Sequence, residues 1–259
     1  MKLKLLAGAA LAALVAATGA SAAEPTGWYG AVDLGYNWKD ELATRSSDNT
    51  ASRAPDGKGY VFNWSTENNW AGFARLGYRF DPNWRMELEG GFRPGSIDAV
   101  RGFKRTLPAS EALCTPNVTR TANTPCGAPA GDIDQLTLMG NVIYDILPES
   151  TIRPFVGVGV GLARVSVDAL GQFSTSPAAA GAAGANLKVD ATDTAFAYQG
   201  LAGFAWSLSD RLNLDVTYRY MKTKDIEFDS TSTTTAAGWT PGKFKGDLSN
   251  QTVTLGLRW

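Results

Sequence analysis

The last nine residues, Gln251–Trp259 (QTVTLGLRW), alternate in character to the end of the chain. Val253, Leu255, Leu257 and Trp259 fall on one face, and Thr252, Thr254, Gly256 and Arg258 on the other. A period of two is that of a β-strand with one apolar face. Chain ends of soluble domains usually fray. A strand that keeps its pattern through a closing Trp is expected to be built into the wall of the fold, with the ring at an apolar boundary. This predicts a closed barrel in a membrane, against which the rest of the chain can be read.

The opposite end specifies a compartment. Met1–Ala23 carries Lys2 and Lys4, then the apolar run Leu5–Ala17, then small residues through Ala20-Ser21-Ala22. That order is a basic region, an apolar region and an A-x-A cleavage site, so residues 1–22 read as a signal peptide cut after Ala22 or Ala23. The run is short of the roughly 20 apolar residues of a spanning helix. Removing Lys2 and Lys4 takes the formal charge from −1 to −3, which gives no reason to expect a nucleic-acid partner. Cys114 and Cys126 lie in a Pro/Thr/Ala-rich stretch without hydrophobic period. In an exported chain they are expected to form one disulfide, contributing about 3 kcal/mol in the chain-entropy model. Two thiols and no histidine make a poor metal site.

Residues 23–259 read as one domain in which the terminal pattern recurs. Trp28–Trp38, Trp70–Phe80, Trp84–Pro94, Gln135–Tyr144, Ile152–Val165, Ala195–Ser207 and Leu212–Lys222 all alternate, which with the terminal strand makes eight. The apolar faces carry no charge at mid-strand, and their aromatics gather toward strand ends: Trp28 and Trp38, Trp70 and Phe80, Trp84 and Phe92, Phe196 and Trp206. The opposite faces carry the charges and glycines. A soluble barrel puts its apolar face inside. A membrane barrel turns it outward between aromatic girdles, where a mid-bilayer Lys or Arg would cost roughly 2–4 kcal/mol. Short links (Asp81–Asn83, Asp145–Thr151, Leu208–Arg211) alternate with long ones (about Lys39–Asn69, Gly95–Asp134, Ser166–Thr194, Thr223–Ser249). The expected fold is therefore all-β: a closed, eight-stranded, antiparallel up-and-down transmembrane barrel with three short periplasmic turns and four long external loops.

The pieces "WYGAVDLGYNW" (Trp28–Trp38), "GFARLGYRF", "RPFVGVGVGLA" and "LNLDVTYRY" resemble strands one, two, five and seven of the OmpA-like family of outer-membrane barrels. The resemblance implies a Gram-negative outer-membrane protein. It also implies that Val253, Leu255, Leu257 and Trp259 are read by the barrel-assembly machinery during insertion. Many such proteins carry a peptidoglycan-binding domain; this sequence ends at its eighth expected strand, so peptidoglycan tethering is not expected to carry over.

An eight-stranded barrel is just wide enough to be filled by its own side chains. The inward list holds Asp33, Glu87, Glu89 and Asp215 against Arg75, Arg79, Arg85, Arg93, Arg219 and Arg258. In a narrow lumen these should pair into a structural network. The sharper alternative is a switchable network gating a small, porin-like pore. Gly157–Gly161 has a phosphate-loop look, but valines separate its glycines and small residues facing a crowded lumen explain it better. Glu87 and Glu89 have a glycosidase-like spacing, but nearby arginines favour the structural role. With no histidine in the chain the usual imidazole base is missing, and no enzyme or cofactor is expected. Outer-membrane lipid and lipopolysaccharide are the expected surroundings. A second reading is a surface adhesion or interaction protein, with a host or phage ligand, acting through the external loops and their aromatics Trp64, Phe173, Phe228 and Trp239. The alternating Tyr60, Phe62 and Trp64 could extend a strand beyond the membrane.

Overall fold

The computed structural model describes residues 26–39, 41–47, 59–102, 110–119, 125–174, 185–233 and 241–259. The expected signal peptide and Trp239 lie outside these residues. The described residues form twelve β-strands: β1 (Gly27–Lys39), β2 (Leu42–Ser46), β3 (Val61–Thr66), β4 (Asn69–Arg79), β5 (Trp84–Arg93), β6 (Ile97–Gly102), β7 (Ser110–Cys114), β8 (Ala130–Asp145), β9 (Ile152–Phe173), β10 (Asn186–Ser209), β11 (Leu212–Ser232) and β12 (Lys243–Arg258). The eight expected segments correspond to β1, β4, β5, β8, β9, β10, β11 and β12, and the short strands β2, β3, β6 and β7 were not expected.

All pairings are antiparallel, and they close two rings that share four strands. The lower ring runs β1–β4–β5–β8–β9–β10–β11–β12 and returns to β1. In the upper ring the far ends of β9, β10, β11 and β12 continue, and β2, β3, β6 and β7 replace the other four. The described parts of the segments expected as long loops are thus largely wall. We call this upper ring the collar. The short turns at the opposite end also receive both Gly27 and Trp259. In one of them, Asp81 Oδ1 accepts the N–H groups of Asn83 (2.8 Å) and Trp84 (2.9 Å), an Asx turn that reverses the chain.

The collar escaped the sequence reading because the chemistry of the two faces swaps along a strand whose register continues. On β9, Val156, Val158 and Val160 point out and are exposed, while Gly157, Gly159 and Gly161 point in. Above them the outward positions become Arg164, Ser166 and Asp168, and the inward ones Val165, Val167 and Ala169, all buried. The lower ring is apolar outside; the collar is apolar inside. On β11 the switch coincides with a bulge at Asp225 (φ 57°), which lets Ile226 and Phe228 point inward above Met221 and Thr223.

The collar has its own core. Phe62 stacks on Phe244 (5.2 Å between ring centres), Phe244 on Phe228 (5.6 Å), and Trp64 meets Phe228 edge-on (5.8 Å). Trp64 is fully buried, and its indole N–H donates to Thr44 Oγ1 at 3.0 Å. Leu42, Ile97, Val100, Leu113, Ile133 and Leu187 complete the filling. Trp64, Phe173 and Phe228, expected as loop aromatics available to a partner, are core residues instead. The strand anticipated around Phe62 and Trp64 is present as β3. Cys114 and Cys126 form the expected disulfide and fasten β7 to the segment leading into β8.

Candidate functional site

The charged side chains of the lower ring point into its lumen, where alternation places every second residue of each strand. Arg75 on β4 is the hub. Its Nη2 donates to Asp33 Oδ1 at 2.7 Å and to Asp215 Oδ2 at 2.9 Å, and its Nη1 donates to Glu87 Oε1 at 2.9 Å. One guanidinium therefore ties together β1, β5 and β11. Arg219 on β11 donates to Asp33 Oδ2 (2.6 Å), Glu89 Oε2 (3.0 Å) and Thr254 Oγ1 (2.6 Å). Arg258 on β12 holds Asp215 through Nε (3.0 Å) and Nη2 (3.2 Å). Toward the short turns, Arg85 donates to Glu87 Oε1 (2.8 Å), and Arg79 and Arg85 pair with Asp145 Oδ2 at 2.8 and 3.2 Å.

Nine of the ten charged residues singled out in the sequence are brought into one connected network with Asp145; Arg93 lies outside its ion pairs. Neutral groups add further contacts: Tyr29 Oη donates to Glu87 Oε1 (2.8 Å), and Gln199 Nε2 donates to Glu89 Oε1 (3.0 Å) and Asn141 Oδ1 (2.8 Å). These charges are buried, so their desolvation is repaid only while the pairs and hydrogen bonds stay intact. Such a lattice holds one geometry firmly and resists rearrangement.

Sequence reasoning omitted Asp145, Arg153 and Lys39, all buried. Their parity is that of the inward positions on their strands, so alternation carried to the strand ends would have found them. Arg153 bonds Asn213. Phe73 was also missed: it points inward and carries Arg219 and Arg93 against its ring, with guanidinium carbons 4.3 and 4.7 Å from the centre. The balance of four acids and six bases becomes five carboxylates against Lys39 and seven arginines among the described buried residues. Gly159 faces the lumen in mid-strand, where a Cβ would stand 2.0 Å from Asn141 Oδ1, so a phosphate loop is ruled out there.

Outside, the lower ring exposes what a soluble protein hides: Trp28 (73 %), Leu34 (63 %), Val158 (68 %) and Leu255 (58 %). Edge-on aromatic pairs at the short-turn end, Trp28–Tyr78 (5.3 Å) and Trp84–Tyr144 (4.9 Å), edge this band. Val253, Leu255, Leu257 and Trp259 all lie on the outward face, and Thr252, Thr254 and Arg258 are buried in the lumen.

An antiparallel barrel with charge inside and a continuous apolar exterior is an integral protein of the outer membrane. The chain belongs to the outer membrane protein beta-barrel domain family, whose model matches residues 7–259. It is similar to a protein named "Outer membrane protein" from Gluconacetobacter diazotrophicus, at 27 % identity over 199 residues, covering 73 % of this chain and 45 % of that one. It is also similar to an uncharacterized protein of Brucella abortus (strain 2308), at 25 % identity over 203 residues, 76 % of this chain and 68 % of that one. Among solved structures, OprG of Pseudomonas aeruginosa matches with a TM-score of 0.51 at 15 % identity, covering 92 % of this chain and 98 % of that one. The outer membrane protease OmpT of Escherichia coli matches with a TM-score of 0.52 at 10 % identity, covering 93 % and 98 %. At these identities the structural likenesses establish the fold alone.

Proposed function

We propose that this chain is a structural outer-membrane barrel with a plugged lumen, in which the eight-stranded lower ring spans the bilayer and the collar stands above it as a rigid surface platform. The observation that carries the reading is the double closure of the interior. The ion-pair network centred on Arg75 and Arg219 crosses the lumen, and the Phe62–Phe244–Phe228 core fills the collar above it. The absence of histidine from the chain supports a non-catalytic role that needs no cofactor. Placement within the OmpA-like group belongs to the same reading and rests on the strand sequences quoted above.

Purified full-length protein in planar bilayers tests it. Quiet membranes are expected. Regular conductance steps that change with Glu87→Ala or Arg219→Ala would replace the plug with the gated, porin-like pore.

A surface-interaction role is the second reading, favoured by strand length. β10 has 24 residues, roughly 80 Å along the strand and about 60 Å of height at a tilt near 40°, whereas the apolar band of such barrels is about 25 Å tall. Much of the wall then projects past the lipid, where it would meet lipopolysaccharide or a host or phage surface. Purified barrels that fail to retain lipopolysaccharide or to bind host cells would remove this reading and leave the structural one standing.

A further inference from the structure

Arg93 stands apart from the network around it. It is fully buried on β5, and its Nη1 donates to Thr137 Oγ1 at 3.1 Å. Among the described residues its Nε and Nη2 have no acceptor. One face of the guanidinium lies against Phe73. Glu89 is engaged by Arg219 and Gln199.

The layer that holds Arg93 contains a second buried cation. Arg93 stands opposite Gln135 in the β5–β8 ladder, Gln135 Oε1 accepts from Asn250 Nδ2 at 2.8 Å, and Asn250 stands opposite Lys39 in the β1–β12 ladder. Lys39 is nearly as buried, and its ammonium donates to the Ile133 carbonyl at 2.6 Å. It packs so tightly on Gly95 that a Cβ there would lie 2.2 Å from Nζ. Arg93 is within electrostatic reach of Glu89 as well as of Lys39 and Arg219, and Lys39 of Asp134 and Asp132; Glu89 is shared with Arg219, so among the described residues neither cation of the layer has a carboxylate to itself in direct contact. One turn of the alternation below Lys39, Asn37 Nδ2 is a further buried donor without an acceptor. The ion-pair network shields this layer from below and the apolar collar core shields it from above.

A guanidinium keeps its proton in a protein, so Arg93 cannot escape its burial by becoming neutral. Water can accept from its free N–H groups but cannot balance its charge, and an unbalanced buried ion is strongly unfavourable. We propose that this layer binds a small inorganic anion of halide or nitrate size, held by Nε and Nη2 of Arg93 with Lys39 as the second cation. The anion's role is structural, and it stands independently of any ligand at the collar.

The test refolds the full chain into detergent with bromide as the probe. Crystals grown in sodium bromide are expected to show anomalous bromine density within hydrogen-bond distance of Arg93 Nε or Nη2. Density for water only at that point overturns the proposal. In solution, the unfolding midpoint at fixed sodium concentration is expected to be higher in bromide or chloride than in bulky gluconate. That difference should vanish in Arg93→Met and persist in Arg101→Met, an exposed collar position; Lys39→Met serves if Arg93→Met does not fold. Equal midpoints for the unmodified chain in halide and gluconate, or an undiminished difference in the lumen variant, overturn it as well.

Discussion

Trp259 and Gly30 exchange two backbone hydrogen bonds of 2.9 Å, the Gly30 N–H donating to the Trp259 carbonyl and the Trp259 N–H to the Gly30 carbonyl. They complete the β1–β12 seam, in which Ala31 stands opposite Arg258. The indole also lies over Gly30, where a Cβ would be 3.4 Å from the ring. Deleting Trp259 removes one rung and one interfacial ring, a modest loss to a wall of eight paired strands. The deletion is expected to reduce the amount of folded barrel in the outer membrane much more than the urea midpoint of barrels refolded in detergent. Mobility of unheated against boiled samples measures both, and parallel losses would reduce Trp259 to a physical anchor.

Arg75→Met leaves Asp33, Glu87 and Asp215 short of a shared buried partner. Breaking a buried network from one side costs about 3–5 kcal/mol. The exposed pair Arg101–Glu41, at 3.5 Å, is a control, and Arg101→Met should change stability by less than about 1 kcal/mol. Urea unfolding in detergent micelles compares the two, and similar small effects would mean that the lumen is well hydrated.

Asp168 on β9 stands directly opposite Asp132 on β8 and Asp190 on β10, all outward where the lower ring passes into the collar. Like charges facing one another across strands are destabilising, and opposite charges contribute roughly 0.2–1 kcal/mol per pair. Asp168→Lys is therefore expected to stabilise the collar by about 1 kcal/mol, read as slower amide exchange on β8–β10. Faster exchange would mean that the carboxylate row has a role that this charge bookkeeping misses.

Tyr60 carries a half-buried ring between Phe62 and Phe173, at 5.7 and 6.2 Å, and its hydroxyl has no hydrogen-bond partner among the described residues. Burial pushes its pKa up from 10.0 to about 12. The folded state thus holds this proton more tightly than the unfolded chain does. Its contribution is complete below about pH 10 and is lost as pH rises from about 10 to about 12. Tyr60→Phe should remove that segment of the pH dependence and leave neutral-pH stability unchanged or slightly higher. A collar that loosens over the same interval in the variant would assign the transition to another group.

How far the sequence could be read depended on which signal each residue relied on. Val156, Val158 and Val160 announce a lipid-facing strand because their inward neighbours are glycines. Val165 and Val167 continue the same strand with the opposite sign, and a search for apolar-out alternation stops there. Trp64 and Phe228 looked like loop aromatics because short collar strands flanked by polar residues resemble loops until their partners are known. Arg93 was legible as an inward charge, but nothing in its position along β5 says that it would miss an ion pair while Arg75 makes three.

By itself, the sequence determined the quantities that depend on neighbours along the chain: β-structure from the period of two, inward and outward faces from parity, the apolar exterior from uncharged mid-strands, and the disulfide from two nearby cysteines. Only the tertiary structure decided which strands pair, that two rings share β9 to β12, and which carboxylate meets which guanidinium. The reason is that ladder register and lumen packing are set between residues as far apart as Asp33 and Arg219, joined at 2.6 Å across 186 positions of chain, and local alternation carries no information about such encounters.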